Sequence, residues 1–227
     1  MDSIEDALRH VKTITLDCYG TLIDWRAGLS RSLAELFGLS VADRTDELFK
    51  AYIQIEAEVE AQQYQSYRQV LSTVARRLAG RFGFELPPQR AGLLAEMLPE
   101  WPPFADTNEA LLRLKERYRL GVLSNIDRDL FAGTARHFDV TFDFVVTAED
   151  VRAYKPAHPH FERLLSVHSR SDEVLHVAQS LFHDGVPTGQ LGIAYVWINR
   201  YNDANETTVR PLATYPDLAC FAEAALD

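Results

Sequence analysis

Polar segments with the residue types of a hydrolytic site follow short apolar runs of this sequence, directly or after a short loop. A carboxylate can attack an electrophilic carbon, a second carboxylate can act as a base for water, and a lysine can balance their charge. Each segment alone could be a helix cap or a surface loop, but together, in this order, they indicate an active site. The residues are Asp17, Ser124 with Asn125, Lys155, and Asp184.

Short runs rich in β-branched and aliphatic residues are typical of buried parallel strands. Helical patterns separate the runs, which predicts an α/β fold with a doubly wound, Rossmann-like parallel sheet. One of these helices begins with Asp106 and has Glu109 three residues later, which predicts a capping box. Ligands of such sheets bind beyond the carboxyl ends of the strands, where the polar segments lie. The runs are residues 13–16, 120–123, 144–146, 174–177 and 194–198.

The first two strands are separated by roughly 100 residues, far more than one crossover helix needs. We therefore predict a helical cap subdomain at residues 24–98, inserted into a core domain of residues 1–23 and 99–227, with residues 99–104 as the return linker. Glycines and prolines divide the insertion into four predicted helices. These helices are residues 27–37, 43–63, 67–82 and 89–98.

Composition and charge exclude several functional classes. The formal net charge of −10 and the lack of a basic stripe predict that the protein does not bind nucleic acid. The acidic N-terminus and the absence of a long apolar run predict neither a secretory signal nor a membrane span. Cys18 and Cys220 are the only cysteines, which suits a reducing, cytoplasmic location.

Four motifs in this order resemble the haloacid dehalogenase superfamily, and within it the L-2-haloacid dehalogenase branch. The resemblance covers nearly the whole chain, including the inserted cap. Residues 17–25, 123–128 and 176–184 are more similar still to a sibling group, the L-azetidine-2-carboxylate hydrolases, which open a strained ring at a C–N bond. The motifs are Asp17-x-Tyr19-Gly20-Thr21-Leu22, Ser124-Asn125, Tyr154-Lys155-Pro156 and Trp197-Ile198-Asn199-Arg200.

The resemblance implies a two-step mechanism. Asp17 displaces the leaving group from the carbon beside a substrate carboxylate, and water then hydrolyses the resulting ester. Lys155 orients Asp17 and offsets its charge, Asp184 is the base for the water, and Thr21 and Ser180 hold the two carboxylates by hydrogen bonds. The residues expected to contact the substrate are Tyr19, Ser124, the backbone amide of Asn125, and His183.

The residue two positions after Asp17 bears on the type of reaction. Phosphatases of the superfamily carry a second Asp there as a general acid, whereas this chain has Tyr19. A halide leaves without a proton, and a strained ring amine can leave already protonated. The leading hypothesis is therefore an (S)-2-haloacid dehalogenase. Ring opening of L-azetidine-2-carboxylate, a Mg²⁺-dependent phosphatase and a non-catalytic binding protein are the alternatives.

Departures from the family pattern leave the substrate open beyond a small carboxylate. Leu181 and Phe161 occupy positions where haloacid dehalogenases have Asn and Tyr. We predict that no metal ion is required; Asp17 and Asp184 would be the ligands if Mg²⁺ were bound. Relatives are often homodimers. The cap cation that lies near the leaving group in the dehalogenases is not assigned, and its candidates are Arg26, Arg44, Lys50 and Arg68.

Overall fold

A parallel β-sheet forms the centre of the computed structural model, which describes residues 3–38, 45–167 and 170–226. Its six strands are β1 (Thr13–Leu16), β2 (Arg119–Ser124), β3 (Phe144–Thr147), β4 (Val174–Ala178), β5 (Ala194–Ile198) and β6 (Ala213–Tyr215). They lie in the order β3-β2-β1-β4-β5-β6, and every neighbouring pair is parallel. The predicted α/β fold with a doubly wound sheet is confirmed.

The strand order reverses between β1 and β4, which are hydrogen-bonded neighbours. From β1 the chain continues to β2 and β3 on one side and then crosses to β4 on the other. Both strands are buried along their whole length, as their continuous apolar runs predict. The carboxyl ends of β1 and β4 therefore border the crevice in which ligands of this fold class bind. The edge strand β6 was not predicted, because two of its three residues are only partly buried, the middle one is exposed, and they show no apolar run.

The helices confirm most of the predicted segments and shorten others. The second cap helix covers Thr45–Glu60 instead of residues 43–63, of which residues 43 and 44 lie outside the described part of the chain. The fourth predicted cap helix, residues 89–98, is a short α-helix between two 3-10 turns, since Gly92 and Pro99 interrupt the helical pattern. No described helix is both long and apolar enough to cross a membrane. The helices are α1 (Ile4–Leu8), α2 (Trp25–Phe37), α3 (Thr45–Glu60), α4 (Tyr67–Phe82), α5 (Leu93–Met97), α6 (Thr107–Lys115), α7 (Arg128–Thr134), α8 (Ala148–Val151), α9 (Pro159–Leu165), α10 (Val186–Leu191) and α11 (Leu218–Leu226).

Contacts along the chain group into two compact units. The core unit comprises Met1–Asp24, Pro103–Asn125 and His137–Asp227 and contains the sheet. The cap unit comprises Trp25–Pro102 together with Ile126–Arg136 and is helical. The predicted domain boundaries, with the cap subdomain at residues 24–98 and the core domain at residues 1–23 and 99–227, stay a prediction.

Trp101 holds the end of the cap unit on its first helix. Its indole Nε1 donates to Ser32 Oγ at 2.9 Å, and its ring lies against Gly28 of α2. A Cβ atom at position 28 would lie 2.2 Å from Trp101 Cγ, so only glycine permits this approach. Trp101 is buried and packs within the cap unit, as expected for a structural tryptophan.

The predicted capping box of Asp106 and Glu109 is wrong. The carboxylate of Asp106 makes no hydrogen bond to the N-terminus of α6. It instead accepts hydrogen bonds from the backbone N–H groups of Leu218 and Ala219, at 2.8 and 3.2 Å, and so caps α11. It also pairs with Arg200 at 2.9 Å. Asp106 pairs with Arg200, 94 residues away in sequence, instead of capping its own helix, because this ion pair is largely buried.

The cap unit also contains a carboxylate, Glu56, that is held by two tyrosine hydroxyls. Glu56 Oε1 accepts hydrogen bonds from Tyr67 Oη at 2.6 Å and from Tyr52 Oη at 2.8 Å. Among the described residues no lysine or arginine pairs with Glu56, in contrast to Glu58 on the same helix, which pairs with Arg77. Burial raises the pKa of Glu56 above its usual value, although both tyrosine hydroxyls oppose the shift.

We expect Glu56→Gln to stabilise the protein at pH 8. A carboxyl whose pKa is raised by folding favours the folded state at low pH, and this advantage is lost as the pH rises through the folded pKa. Glutamine keeps an acceptor for both tyrosines and removes the charge. The expected increase in Tm is on the order of 2–4 °C, which corresponds to about 1 kcal/mol at this chain length. Thermal unfolding at pH 8 and at pH 4.5 measures it, and the increase should shrink at the lower pH.

The matched control is Glu58→Gln, on the same helix. Its pairing with Arg77 lowers the pKa of Glu58, so neutralising it should leave Tm at pH 8 unchanged or slightly lower. Equal effects of the two substitutions, or a Glu56→Gln effect that does not change with pH, would contradict the interpretation of Glu56 as a destabilising, partly buried charge.

Candidate active site

Four of the predicted chemical residues lie at the carboxyl ends of neighbouring strands. Asp17 directly follows β1, and Ser124 is the last residue of β2. Lys155 follows β3 and the short helix α8, and Asp184 lies in a π-helical turn, Leu181–Gly185, after β4. All four belong to the core unit and are buried. The topology therefore gathers residues that are far apart in sequence at one edge of the sheet.

Lys155 connects the two carboxylates. Its ammonium nitrogen Nζ lies 2.9 Å from Asp17 Oδ1, 2.6 Å from Asp184 Oδ1 and 2.8 Å from the Leu123 carbonyl oxygen. A lysine has three N–H donors, and each has an acceptor here. The side chain is only 1% exposed. Lys155 thus serves to hold and neutralise Asp17 and Asp184, and it has no further N–H for a substrate.

Asp17 is held on both of its oxygens. Oδ1 accepts from Lys155, and Oδ2 accepts from the Thr21 hydroxyl at 3.1 Å. The Thr21 oxygen in turn accepts from the backbone N–H of Gln179 at 3.0 Å, which fixes the direction of its proton. Thr21 was predicted to hold this carboxylate, and the hydrogen bond is present. With an exposed side-chain fraction of 11%, Asp17 keeps limited access to the exterior of the core unit.

The two oxygens of Asp184 differ in their contacts. Oδ1 contacts both Lys155 Nζ at 2.6 Å and His176 Nε2 at 2.9 Å. Oδ2 is buried and has no hydrogen-bond partner among the described residues. Leaving a buried carboxylate oxygen without a partner is costly, so Oδ2 is the oxygen of Asp184 that can accept a hydrogen bond from water or a ligand.

The two carboxylates differ in acidity. Burial raises the pKa of Asp17 above its ordinary value, against the opposing charge of Lys155. Burial acts on Asp184 as well, but there Lys155 and His176 outweigh it and hold the pKa of Asp184 well below the ordinary value. Burial lowers the pKa of Lys155, yet the two carboxylates raise it to about 12. Lys155 is therefore charged at neutral pH, and two carboxylates with different pKa values suit two chemical roles.

Ser124 and Asn125 have different functions in the structure. Ser124 Oγ is buried and has no hydrogen-bond partner among the described residues. The side chain of Asn125 accepts from the Lys155 backbone N–H at 2.7 Å and donates to the Lys155 carbonyl at 3.0 Å, so it holds the loop that carries the lysine.

His160 Nε2 lies 3.2 Å from the Ser124 carbonyl oxygen. Burial lowers the pKa of His160 to about 3, and the ring is neutral.

Ser180 was predicted to help hold the two carboxylates, but its hydroxyl bonds to His183 instead. Its Oγ accepts from the His183 backbone N–H at 3.0 Å and contacts His183 Nδ1 at 3.2 Å. Ser180 precedes the π-helical turn Leu181–Gly185 and caps its N-terminus. Its hydroxyl is therefore used within this turn and does not reach a carboxylate. Burial lowers the pKa of His183 to about 4, so this side chain is neutral near pH 7. Tyr19 is half-buried after β1, and its contact with a substrate stays a prediction.

His176 is the site residue that was not predicted. It lies within β4 in register with Thr15 of β1, and its ring contacts both Thr15 and Asp184. The signal in the sequence was a single histidine in the apolar run Val174–Ala178. A buried histidine requires polar partners, but the sequence did not indicate which residues they are.

The site offers a poor set of ligands for Mg²⁺. Three of the four carboxylate oxygens of Asp17 and Asp184 already accept hydrogen bonds, which leaves Asp184 Oδ2. Within the described chain, no cluster of three or more His, Cys, Asp or Glu side chains could hold a metal ion. Mg²⁺ prefers a near-octahedral set of oxygen ligands. We assign no step to a metal ion.

The candidate cap cations are described in part. Arg44 lies outside the described residues. Arg26 and Lys50 are exposed, and Arg26 lies over the Trp25 ring at 5.8 Å. Arg68 is exposed and pairs with Asp129 within the cap unit at 2.5 Å. Which of them contacts a substrate stays a prediction.

The fold and the site agree with one enzyme family. Residues 11–177 match the model of the haloacid dehalogenase-like hydrolases. The chain belongs to this family and is a hydrolase. This result supports the family resemblance of the first three motifs, which lie within the matched residues, while closeness to the azetidine-2-carboxylate hydrolases is a separate, finer hypothesis.

Individual relatives are similar at low identity over nearly the full length. An (S)-2-haloacid dehalogenase from Pseudomonas fluorescens is 23% identical over 226 residues, which cover 93% of this chain and 95% of the relative. The same values hold for an (S)-2-haloacid dehalogenase from Pseudomonas putida. The structure of L-2-haloacid dehalogenase from Xanthobacter autotrophicus with covalently bound chloropropionic acid superposes with a TM-score of 0.81. It is 18% identical and covers 94% of this chain and 97% of its own. The structural similarity shows the fold.

Proposed function

We propose that this hydrolase cleaves the carbon–halogen bond of small (S)-2-haloacids through an ester on Asp17. The observation that carries the proposal is the buried Lys155 ammonium, which donates to Asp17 and Asp184 together. It holds a nucleophile beside a base. Relatives that are (S)-2-haloacid dehalogenases match 93% of the chain, and the similar enzyme of Xanthobacter autotrophicus holds chloropropionic acid covalently.

In the first step, an Asp17 oxygen attacks the carbon beside the substrate carboxylate. A C–O bond forms, and the C–halogen bond breaks with its electron pair leaving on the halide. The Ser124 hydroxyl, which lacks a partner among the described residues, is suited to donate to the substrate carboxylate. The step needs no proton donor, which agrees with a tyrosine at position 19.

In the second step, water attacks the ester carbonyl carbon of Asp17 and gives one proton to Asp184 Oδ2. The tetrahedral intermediate expels the alkoxide of the 2-hydroxy acid, which takes a proton from Asp184. The remaining hydroxyl proton leaves to solvent, and the Asp17 carboxylate is restored. Asp184 is suited to this role because Oδ2 is the oxygen that neither Lys155 nor His176 contacts.

Hydrolytic opening of L-azetidine-2-carboxylate is the second candidate. Two residues leave room for it, because they lack the polar groups that the dehalogenases have at these positions. Leu181 has no amide, and Phe161 is fully buried against the His176 ring, with ring centroids 5.1 Å apart, so it offers no hydroxyl. In this reaction the C–N bond breaks with its electron pair leaving on the ring nitrogen, which departs as an amine.

We also propose that neither reaction needs a metal ion. The cytoplasmic location and the homodimer stay predictions.

The test is a substrate panel in EDTA. The protein is incubated with L-2-chloropropionate, with D-2-chloropropionate as the matched control, and with L-azetidine-2-carboxylate. We expect chloride and 2-hydroxypropionate from the L-enantiomer, together with a transient mass increase of the intact protein. Release of ring-opened amine without chloride would select the second candidate. Phosphate release from phosphomonoesters only with Mg²⁺ would indicate a phosphatase, and no adduct or product with any compound would indicate a binding protein.

A further inference from the structure

His176 is a polar residue at the centre of the sheet. It is fully buried on β4, where its ring meets Phe161 edge-on and stacks with Tyr195 at 6.3 Å. An imidazole in such apolar surroundings is unfavourable unless both nitrogens have partners. Both do: Nδ1 lies 2.9 Å from Thr15 Oγ1, and Nε2 lies 2.9 Å from Asp184 Oδ1.

The partners define which nitrogen of His176 carries the proton. An ionised carboxylate only accepts hydrogen bonds, so Nε2 must donate to Asp184. In the neutral ring Nδ1 is then the acceptor. The Thr15 hydroxyl is the donor, since Nδ1 at 2.9 Å is a better placed acceptor than the Leu175 carbonyl oxygen at 3.5 Å. Thr15 is fully buried and aligned with His176 by the parallel pairing of β1 and β4. The hydrogen bonds therefore run in one direction, from Thr15 through His176 to Asp184.

This direction determines which oxygen of Asp184 is available. Lys155 and His176 both donate to Oδ1, and two donors from different elements resist rotation of the carboxylate. Oδ2 is left without a partner among the described residues. Without the His176 N–H, the carboxylate could rotate and present either oxygen to Lys155.

We propose that Thr15 and His176 are positioning residues that orient Asp184 so that Oδ2 receives the proton of the hydrolytic water. The proposal rests on the proposed two-step function and concerns its second step. Neither residue touches the substrate. Their loss should therefore slow hydrolysis of the ester while leaving its formation by Asp17 nearly unchanged.

The kinetic test follows the Asp17 ester by rapid quench and intact-protein mass spectrometry. For His176→Leu and Thr15→Val, we expect ester formation within about 2-fold of wild type. Ester hydrolysis should be slower by on the order of 10–100-fold, the loss typical when a partner that orients a reactive group is removed. His176→Gln keeps an N–H donor and should recover part of the rate. Thr15→Val is nearly isosteric and remains informative if His176→Leu does not fold. Thr15→Ser, which retains the hydroxyl, is its matched control.

A second measurement does not depend on turnover. Nuclear magnetic resonance of ¹⁵N-labelled histidine in the wild-type protein should show His176 protonated at Nε2 and unprotonated at Nδ1, and the Nδ1 resonance should shift in Thr15→Val, which lacks the hydroxyl that donates to it. Protonation at Nδ1 would overturn the proposal, and so would equal slowing of both kinetic steps. If wild type forms no ester with either substrate, the proposed function fails, and the Nε2 protonation pattern still decides whether Thr15 and His176 orient Asp184.

Discussion

Substitution of Asp17 by asparagine is expected to reduce turnover of the preferred substrate by on the order of 10⁶-fold, as for removal of other enzymatic nucleophiles. Asparagine nearly preserves the shape of the side chain but is too weak a nucleophile to displace halide or a ring amine. The adduct mass should disappear together with the product. Halide or amine release and intact-protein mass spectrometry measure both effects.

Stability provides a check on this variant. Burial raises the pKa of Asp17, so the ionised side chain is disfavoured in the folded state. Asp17→Asn should therefore unfold at a Tm no lower than that of wild type, as expected where function requires a destabilising group. Asp203→Asn, at an exposed position, is the matched control and should keep full activity. An adduct that persists in Asp17→Asn, located by peptide mapping on another residue, would refute Asp17 as the nucleophile.

Substitution of Lys155 by methionine is expected to abolish activity and to lower stability strongly. The variant leaves Asp17 and Asp184 buried without their shared cation. Breaking a buried ion pair on one side costs about 3–5 kcal/mol. For a chain of this length the corresponding decrease in Tm is roughly 6–20 °C. Urea unfolding at pH 7 gives the free energy, and the substrate assay gives the activity.

The pH dependence tests the cause of this loss. Lys155 has a folded pKa of about 12, above its unfolded value, so its contribution is fully present below about pH 10.5 and is lost as the pH rises through 12. The contribution of Asp184, whose pKa is lowered, is lost as the pH falls below its ordinary range. The Lys155→Met deficit should therefore be constant from pH 6 to 9 and shrink below pH 4. Lys12→Met removes an exposed pair with Glu173 and should cost no more than about 1 kcal/mol. Similar losses in both variants would contradict a special role of the buried ammonium.

The strands and their chemical termini could be predicted because their signals are local. Continuous apolar runs mark β1 to β5, and the rule that ligands bind at the carboxyl ends of parallel strands identified Asp17, Ser124, Lys155 and Asp184. The structure places Thr21 on Asp17 as predicted. Family motifs supplied the roles, which the two substitutions at Asp17 and Lys155 would test.

Predictions failed where a side chain had a choice of partners. Ser180 was predicted to hold a carboxylate together with Thr21 and instead bonds to His183. Asp106 was assigned to its own helix and instead caps α11 and pairs with Arg200. In each case the residue type was recognised as a hydrogen-bonding group, but its partner depends on packing that the sequence does not show.

The sequence by itself determined the α/β class, the inserted helical segment and the strand ends at which the chemistry occurs, since these depend on periodicity and on residue type. Only the tertiary structure decided that Lys155 contacts Asp17, 138 residues away, and Asp184 at the same time. Only it placed Thr15 against His176, 161 residues later, and left Asp184 Oδ2 as the oxygen without a partner among the described residues. The physical reason is that strand order and register select which buried polar groups meet, and neither is encoded in any short stretch of the chain.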